Sequence, residues 1–234
     1  MYKAVLFDLF GTLIESPSMT AYRQMVAEIA EVLGQTFETF QEPWMSINDG
    51  RLDGSFGSSE GDILAAAELV GASVSDSQMA QCMDLRRSIT RKFLVPKTGV
   101  IVMLEELNAM GCDIGLVTDC VYDVPAVWLD TEFAAYFAAS HYSCVTHVRK
   151  PDSKAYQVVL DELGVSASET LFVGDGGSDE LNGAVRVGID AVQIDDLITE
   201  DEGAVSVLRV GVVDWDGPAI KSMSEVPDYV RNRS

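Results

Sequence analysis

Apolar and polar positions follow two different patterns along the chain. The opening is a short apolar run, V-L-F from Val5, that stops at a carboxylate, Asp8, and continues L-F-G-T-L to Leu13. Such a run, closed by a Gly-Thr turn, reads as a buried strand that delivers an acid to a sheet edge. Helical spacing then takes over. Tyr22, Met25, Ile29, Val32 and Leu33 recur at helical intervals over Thr20 to Leu33, with Gly34 as a stop. Further helices are predicted over Gly61 to Leu69 and Ser77 to Leu94, and the Gly, Ser and Asp-rich stretch Asn48 to Glu60 reads as a loop. No strand-like alternation interrupts this region. It is expected to be an all-helical insertion bounded by Ser16-Pro17 and Pro96-Lys97.

From Val100 the pattern alternates between periods. Helix Val100 to Met110 precedes strand Asp113 to Thr118, a helix near Val124 to Leu129 and a short strand around Ala138 to Ser143. Helix Ser153 to Leu163, strand Leu171 to Gly174, helix Glu180 to Val187 and strand Ala191 to Ile194 follow. The alternation predicts an α/β fold, a parallel sheet with helices on both faces. A last segment, with Val210 to Val213 and a Trp215 to Pro218 turn, has no role that the pattern defines.

Parallel strands end along one edge, where open α/β sheets place their ligands. Three apolar runs end in an oxygen-bearing residue, at Asp8, Thr118 and Asp175, and Asp179 opens the next helix. If these strands are neighbours, the carboxylates converge and repel one another. A hard divalent cation with oxygen ligands is the simplest way to hold them, and magnesium is the natural candidate. Lys150, just before Pro151, could supply a second cation.

Composition narrows the partners. A formal net charge of −21 repels nucleic acid and anionic membrane surfaces, so neither is expected as a partner. An anionic substrate would then need local cations, from a metal or from placed Lys and Arg. Cys82, Cys112, Cys120 and Cys144 lack C-x-x-C spacing and read as reduced buried thiols. With no stretch of membrane-spanning length and no cleavable leader, the expectation is a soluble, cytoplasmic protein.

The motifs D-L-F-G-T from Asp8, L-V-T-D at Thr118, R-K-P-D at Lys150 and V-G-D-G-G-S-D-E-L-N-G-A from Val173 resemble the signature of the haloacid dehalogenase-like hydrolase superfamily. The resemblance implies a Rossmann-like core of residues 1–15 and 97–234 with a helical cap, residues 16–96, inserted after the first motif. It implies Asp8 as nucleophile, Thr118 and Lys150 as stabilisers of the transferring group, and Gly11, Thr12 and Asp119 at the substrate. Asp175 and Asp179 would hold magnesium together with Asp8 and the backbone carbonyl of Phe10. Arg51, in the D-G-R-L-D-G loop, is a candidate for gripping the remote end of the substrate, or else a solvated loop residue. Phe40 and Trp44 are expected to pack the cap, and His141 and His147 are assigned no role.

Phe10 departs from the pattern, because most phosphatases of this kind carry Asp there as general acid and base. The resemblance therefore implies a magnesium-dependent phosphatase of a small phosphorylated metabolite that favours good leaving groups or borrows an acid such as Glu15 or Asp53. A metal-independent 2-haloacid dehalogenase is the alternative, because those enzymes carry an aromatic residue at that place and a Lys and Tyr spaced as Lys150 and Tyr156 are. A binding or regulatory protein that has lost turnover is the third reading, set against the completeness of the remaining polar set.

Overall fold

The computed structural model describes residues 2–195 and 215–232. Strand β1 (Ala4–Phe7) is buried along its whole length. It lies at the centre of a six-stranded sheet with β2 (Asp113–Thr118), β3 (Ala139–Tyr142), β4 (Thr170–Gly174), β5 (Asp190–Ile194) and β6 (Ala219–Ile220), in the order β3-β2-β1-β4-β5-β6. Every pairing is parallel. Strands covered on both faces read as continuous apolar runs, which is why this sheet is visible in the sequence.

Alternate residues of each strand face opposite layers. Val5, Phe7, Ile114, Leu116, Leu171 and Val173 pack with Leu104 and Leu107 of α6 (Val100–Ala109). Leu6, Val117 and Phe172 pack with Tyr156, Val159 and Leu160 of α9 (Ser153–Leu163) and Leu181 of α10 (Glu180–Val187). Helix α11 (Val226–Arg231) adds Val226 and Val230 to the α6 side. Short helices α7 (Asp123–Val127) and α8 (Ser143–Thr146) follow β2 and β3 directly.

Between β1 and α6 lies the helical cap: α1 (Met19–Val32), α2 (Phe37–Ser46), α3 (Asn48–Leu52), α4 (Ser59–Leu69) and α5 (Asp76–Phe93). These helices have an apolar interior of their own, built on Val26, Ile29, Phe40, Trp44, Ile63 and Cys82. Ser18, Thr36, Ser58 and Ser75 cap four of them by accepting a backbone N–H. The two chain connections to the sheet run side by side, with the Lys97 N–H donating to the Leu13 carbonyl at 2.9 Å.

Two cap helices escape the pattern. α2 carries Pro43 in its interior, which reads as a breaker, yet Phe40 and Trp44, one turn apart, bury completely and hold it. α3 lies inside the stretch read as a loop, too short for periodicity to register. The Trp215 to Pro218 turn is closed by the indole N–H on the Pro218 carbonyl at 2.9 Å, and leads into β6. Val210 to Val213 lie outside the described residues. The four cysteines are free and buried. Among the described residues no helix is long and apolar enough to cross a membrane.

Candidate active site

β1 lies between β2 and β4, so Asp8, Thr118 and Asp175 come to one edge at the point where the sheet's connections diverge to either side. Asp8 continues the ladder through its N–H to the Val173 carbonyl at 3.0 Å, and its carboxyl is buried. The buried Lys150 ammonium contacts Asp8 Oδ1 and lies 2.5 Å from Glu180 Oε2. Asp175 Oδ1 accepts the Gly177 N–H at 2.9 Å, and Glu180 Oε1 accepts the Gly176 N–H at 3.0 Å. Oxygens of Asp8, Asp175 and Glu180 all lie within 4.8 Å of one another.

Lys150 is thus shared between Asp8 and Glu180, with Asp175 beside them. Burial pushes the Asp8 carboxyl up, Lys150 pulls it back, and Asp175 pushes it up again. Glu180 is raised well above the usual range, first by burial and then by the charge of Asp8. Burial also opposes the charge of Lys150, but Asp8 and Glu180 outweigh it and hold the ammonium well above its ordinary value. The lysine therefore stays charged.

Around this cluster the hydroxyls of Thr12 and Thr118 are buried without a hydrogen-bond partner. Gly11 takes a left-handed φ of +81°, and a Cβ there would come 2.5 Å from Asp175 Oδ2, so the turn after Asp8 admits only glycine. Its carbonyl accepts from Lys97 Nζ at 2.8 Å. Asp119 Oδ1 accepts the Lys150 N–H at 3.0 Å, and Arg149 Nε stands 3.7 Å from Oδ2. Tyr156 donates its hydroxyl to the Glu180 carbonyl at 2.7 Å. His141 is buried against Thr146 and held down to about 4, chiefly by burial.

Asp179 lies outside the cluster, contrary to the expectation that it joins Asp175. Ser178 and Asp179 both have positive φ, 55° and 52°, and this left-handed step turns the Asp179 side chain toward Asn182 Nδ2, at 2.7 Å, and Arg186 Nη2, at 2.9 Å. Those partners, the Asn182 hydrogen bond first, hold its carboxyl low. Glu180, the first residue of α10, takes the inward place. Of the acids that might be borrowed, Glu15 is exposed. Asp53 Oδ1 accepts from the Ser55 N–H at 2.9 Å and from its hydroxyl at 2.5 Å.

The cap closes over this edge at several points. Ser143, in α8, donates to the Leu52 carbonyl at 2.6 Å and accepts the Cys120 N–H at 2.9 Å. His147 Nδ1 meets the Asp53 carbonyl at 2.8 Å, and Gly54 sits so close to the Cys144 carbonyl that a Cβ would lie 1.9 Å from its oxygen. Deeper in, Arg86 donates from Nε to Asp123 Oδ2 at 2.8 Å, from Nη1 to the Ser59 carbonyl at 2.8 Å and from Nη2 to Asp62 Oδ2 at 2.7 Å. Asp123 belongs to the sheet side, so this network ties cap to core. Between the two lies a cavity of about 110 Å³ whose lining includes Phe10, Trp44, Arg51, Arg86, Asp119 and Val124.

The haloacid dehalogenase-like hydrolase family profile matches residues 2–188. The chain belongs to that family. It is 32% identical over 110 residues to a phosphoserine phosphatase of Thermus thermophilus, a match that covers 46% of this chain and 44% of that protein. The chain thus spans less than half the length of that relative. It is 26% identical to a glyceraldehyde 3-phosphate phosphatase of Methanopyrus kandleri over 83% of this chain and 84% of that one. Among solved structures, a 2-haloacid dehalogenase from Pseudomonas syringae superposes with a TM-score of 0.70 at 23% identity, covering 99% of each chain, a likeness of fold.

Two residues of this hydrolase's site carry no local signal in the sequence. Glu180 directly follows the acid that the motif spacing favours. Arg86 sits mid-helix, and its core partner Asp123 is 37 residues away.

Proposed function

We propose that this hydrolase is a magnesium-dependent phosphatase of a small phosphorylated metabolite, working through an aspartyl-phosphate on Asp8. The observation that carries the reading is the cluster of three buried carboxylates, Asp8, Asp175 and Glu180, whose oxygens lie within 4.8 Å of one another beside Lys150. The donor set is all oxygen, which suits a hard divalent cation. Asp8, Asp175 and Glu180 would hold magnesium, with the Phe10 carbonyl as a further ligand by family resemblance. When bound, the ion supplies the positive charge that a phosphate needs beside these acids.

In this reading an Asp8 carboxylate oxygen attacks phosphorus and the bond to the leaving oxygen breaks. Lys150 stays charged and holds both the nucleophile and a phosphoryl oxygen. The Thr118 hydroxyl donates to another. Water then attacks the phosphorus of the aspartyl-phosphate, releasing phosphate and restoring Asp8. The cap, taken as residues 16–96 on a core of 1–15 and 97–234, keeps other water out meanwhile. Phe10 can pass no proton, so a good leaving group departs unaided and an alkoxide must take its proton from water.

A dehalogenase reading fits less well. Asp175 and Glu180 would face a substrate carboxylate with no metal to offset them, and Tyr156 spends its hydroxyl on the Glu180 backbone. The test is to follow phosphate and halide release side by side, with and without magnesium. Magnesium-dependent release of phosphate from an aryl phosphate is expected; full turnover in excess chelator would overturn the metal assignment. Phe10→Asp should raise turnover of alkyl phosphates well above any gain on aryl phosphates, since general acid help is worth roughly 10²–10⁴ in rate where a proton is needed. Equal gains would mean that another group already supplies the proton.

A further inference from the structure

Two buried donors in the cap cavity have no acceptor. Arg51 Nε and the Trp44 indole N–H are both without a hydrogen-bond partner, both residues line the cavity, and they are only 3% and 0% exposed. Arg51 Nη2 donates to neutral groups, the Tyr22 hydroxyl at 3.2 Å and Asn48 Oδ1 at 2.8 Å. Its charge rests 4.1 Å from the centre of the Trp44 ring. The nearby acids, Asp62 and Asp123, are both engaged by Arg86. Asp62 Oδ1 and Asp119 Oδ2 are acceptors without a hydrogen-bond partner; Asp62 is not part of the cavity wall, and Asp119 Oδ2 has the Arg149 guanidinium 3.7 Å away.

A buried guanidinium and a buried indole N–H, both lacking an acceptor, are costly to hold and point to a ligand that supplies one. The cavity also says where that ligand comes from. Phe10 and Asp119 in its lining lie two residues beyond Asp8 and one beyond Thr118, which puts the cavity next to the edge that carries the nucleophile. Other walls are apolar, among them Met25, Ile89, Phe93 and Leu94. A volume of about 110 Å³ is well below the roughly 300–1,000 Å³ of pockets for drug-sized ligands, which suits a short aliphatic body.

We propose that Arg51 and Trp44 form a carboxylate subsite in the cap, and that the substrates are short phosphate monoesters of hydroxy acids. The phosphate sits at Asp8 and the carboxylate on the Arg51 fork and the indole N–H. A carboxylate offers two oxygens for two donors and one negative charge for one guanidinium. A second phosphate would bring additional charge toward Asp119 and Asp123. The inference rests on the phosphatase reading of the Asp8 site and adds to it the class of substrate.

The test compares the phosphate ester of 3-hydroxypropionate with that of its primary amide, by phosphate release. In the wild type the acid should be favoured by about 30-fold in kcat/KM, mostly through KM, as expected for hydrogen bonds to a charged group. Arg51→Met should collapse that ratio to near unity, and Arg51→Lys, which keeps the charge and loses the fork, should fall between. Equal kcat/KM for the two esters in the wild type would overturn the subsite, and needs no variant to fold. So would a ratio that survives in Arg51→Met. Propionate and propionamide, titrated against indole fluorescence, give a reading independent of turnover. Propionate should shift the emission of wild type but not of Trp44→Phe or Arg51→Met, and identical behaviour of the two probes would overturn the subsite. If neither ester is hydrolysed while an aryl phosphate is turned over with magnesium, the proposed substrate class fails and the phosphatase reading stands. If the aryl phosphate is not hydrolysed either, the phosphatase reading fails. In both cases the propionate titration decides the subsite.

Discussion

The two buried polar clusters of this molecule are out of balance in different ways. At the sheet edge, Asp8 and Glu180 share Lys150 with Asp175 close by, and the crowding is of carboxylate oxygens. Where the cap meets the core, Arg51 and Arg86 are matched in number by Asp62 of the cap and Asp123 of the core, yet Arg86 takes both acids and Arg51 is left with neutral partners. There the shortage is of acceptors. A cluster crowded with carboxylates suits a cation, and one short of acceptors calls for a ligand's oxygens. The protein as a whole carries a net −21, so an arginine buried without a contacting carboxylate is the less expected of the two.

The comparison can be broken most sharply at the nucleophile. Asp8→Asn should lower phosphate release by about a thousandfold or more, because the covalent step disappears. In excess chelator the same variant should be no less stable than wild type, and up to about 1 kcal/mol more stable, since a repulsive buried charge is gone. Urea unfolding checks this, and a clear loss of stability would mean that the edge cluster is already balanced. Arg86→Met should do the opposite. It strands Asp62 and Asp123 and should cost about 3–5 kcal/mol in the same assay; a loss under 1 kcal/mol would remove the cap network from any account of closure.

A smaller effect separates the two candidate metal acids. Glu180→Gln should weaken the magnesium concentration dependence of phosphate release by about 10–100-fold, whereas Asp179→Asn should leave it within about twofold. The reverse ranking would restore the acid that motif spacing favours. Magnesium should also raise the thermal midpoint of wild type, since a ligand at 100 times its Kd adds about 2.7 kcal/mol to a folded state that alone binds it. That rise should shrink in Glu180→Gln.

These residues also mark what could be read without coordinates. The sheet was legible because buried parallel strands are unbroken apolar runs, and the ends of β1, β2 and β4 announce themselves by Asp8, Thr118 and Asp175. Helices α9 and α10 follow from clean periodicity. α2 was hidden by Pro43, whose local penalty is outweighed by the burial of Phe40 and Trp44. The inward acid was hidden by two left-handed residues, Ser178 and Asp179, since spacing counts residues and cannot count a backbone turn. Arg51 was visible as a loop candidate, but not its place over Trp44, which needs three cap helices packed together. The Arg86 contact to Asp123 was beyond reach for the same reason: it exists only once the cap rests on the sheet.

That resting contact turns on an absent methyl. Gly54 meets the Cys144 carbonyl with no room for a Cβ, and its φ of +74° already excludes most side chains. The position is therefore a natural doorstop. A single alanine there would wedge the lid ajar while leaving both halves of the molecule built as before, separating what the enzyme can hold from what it can enclose.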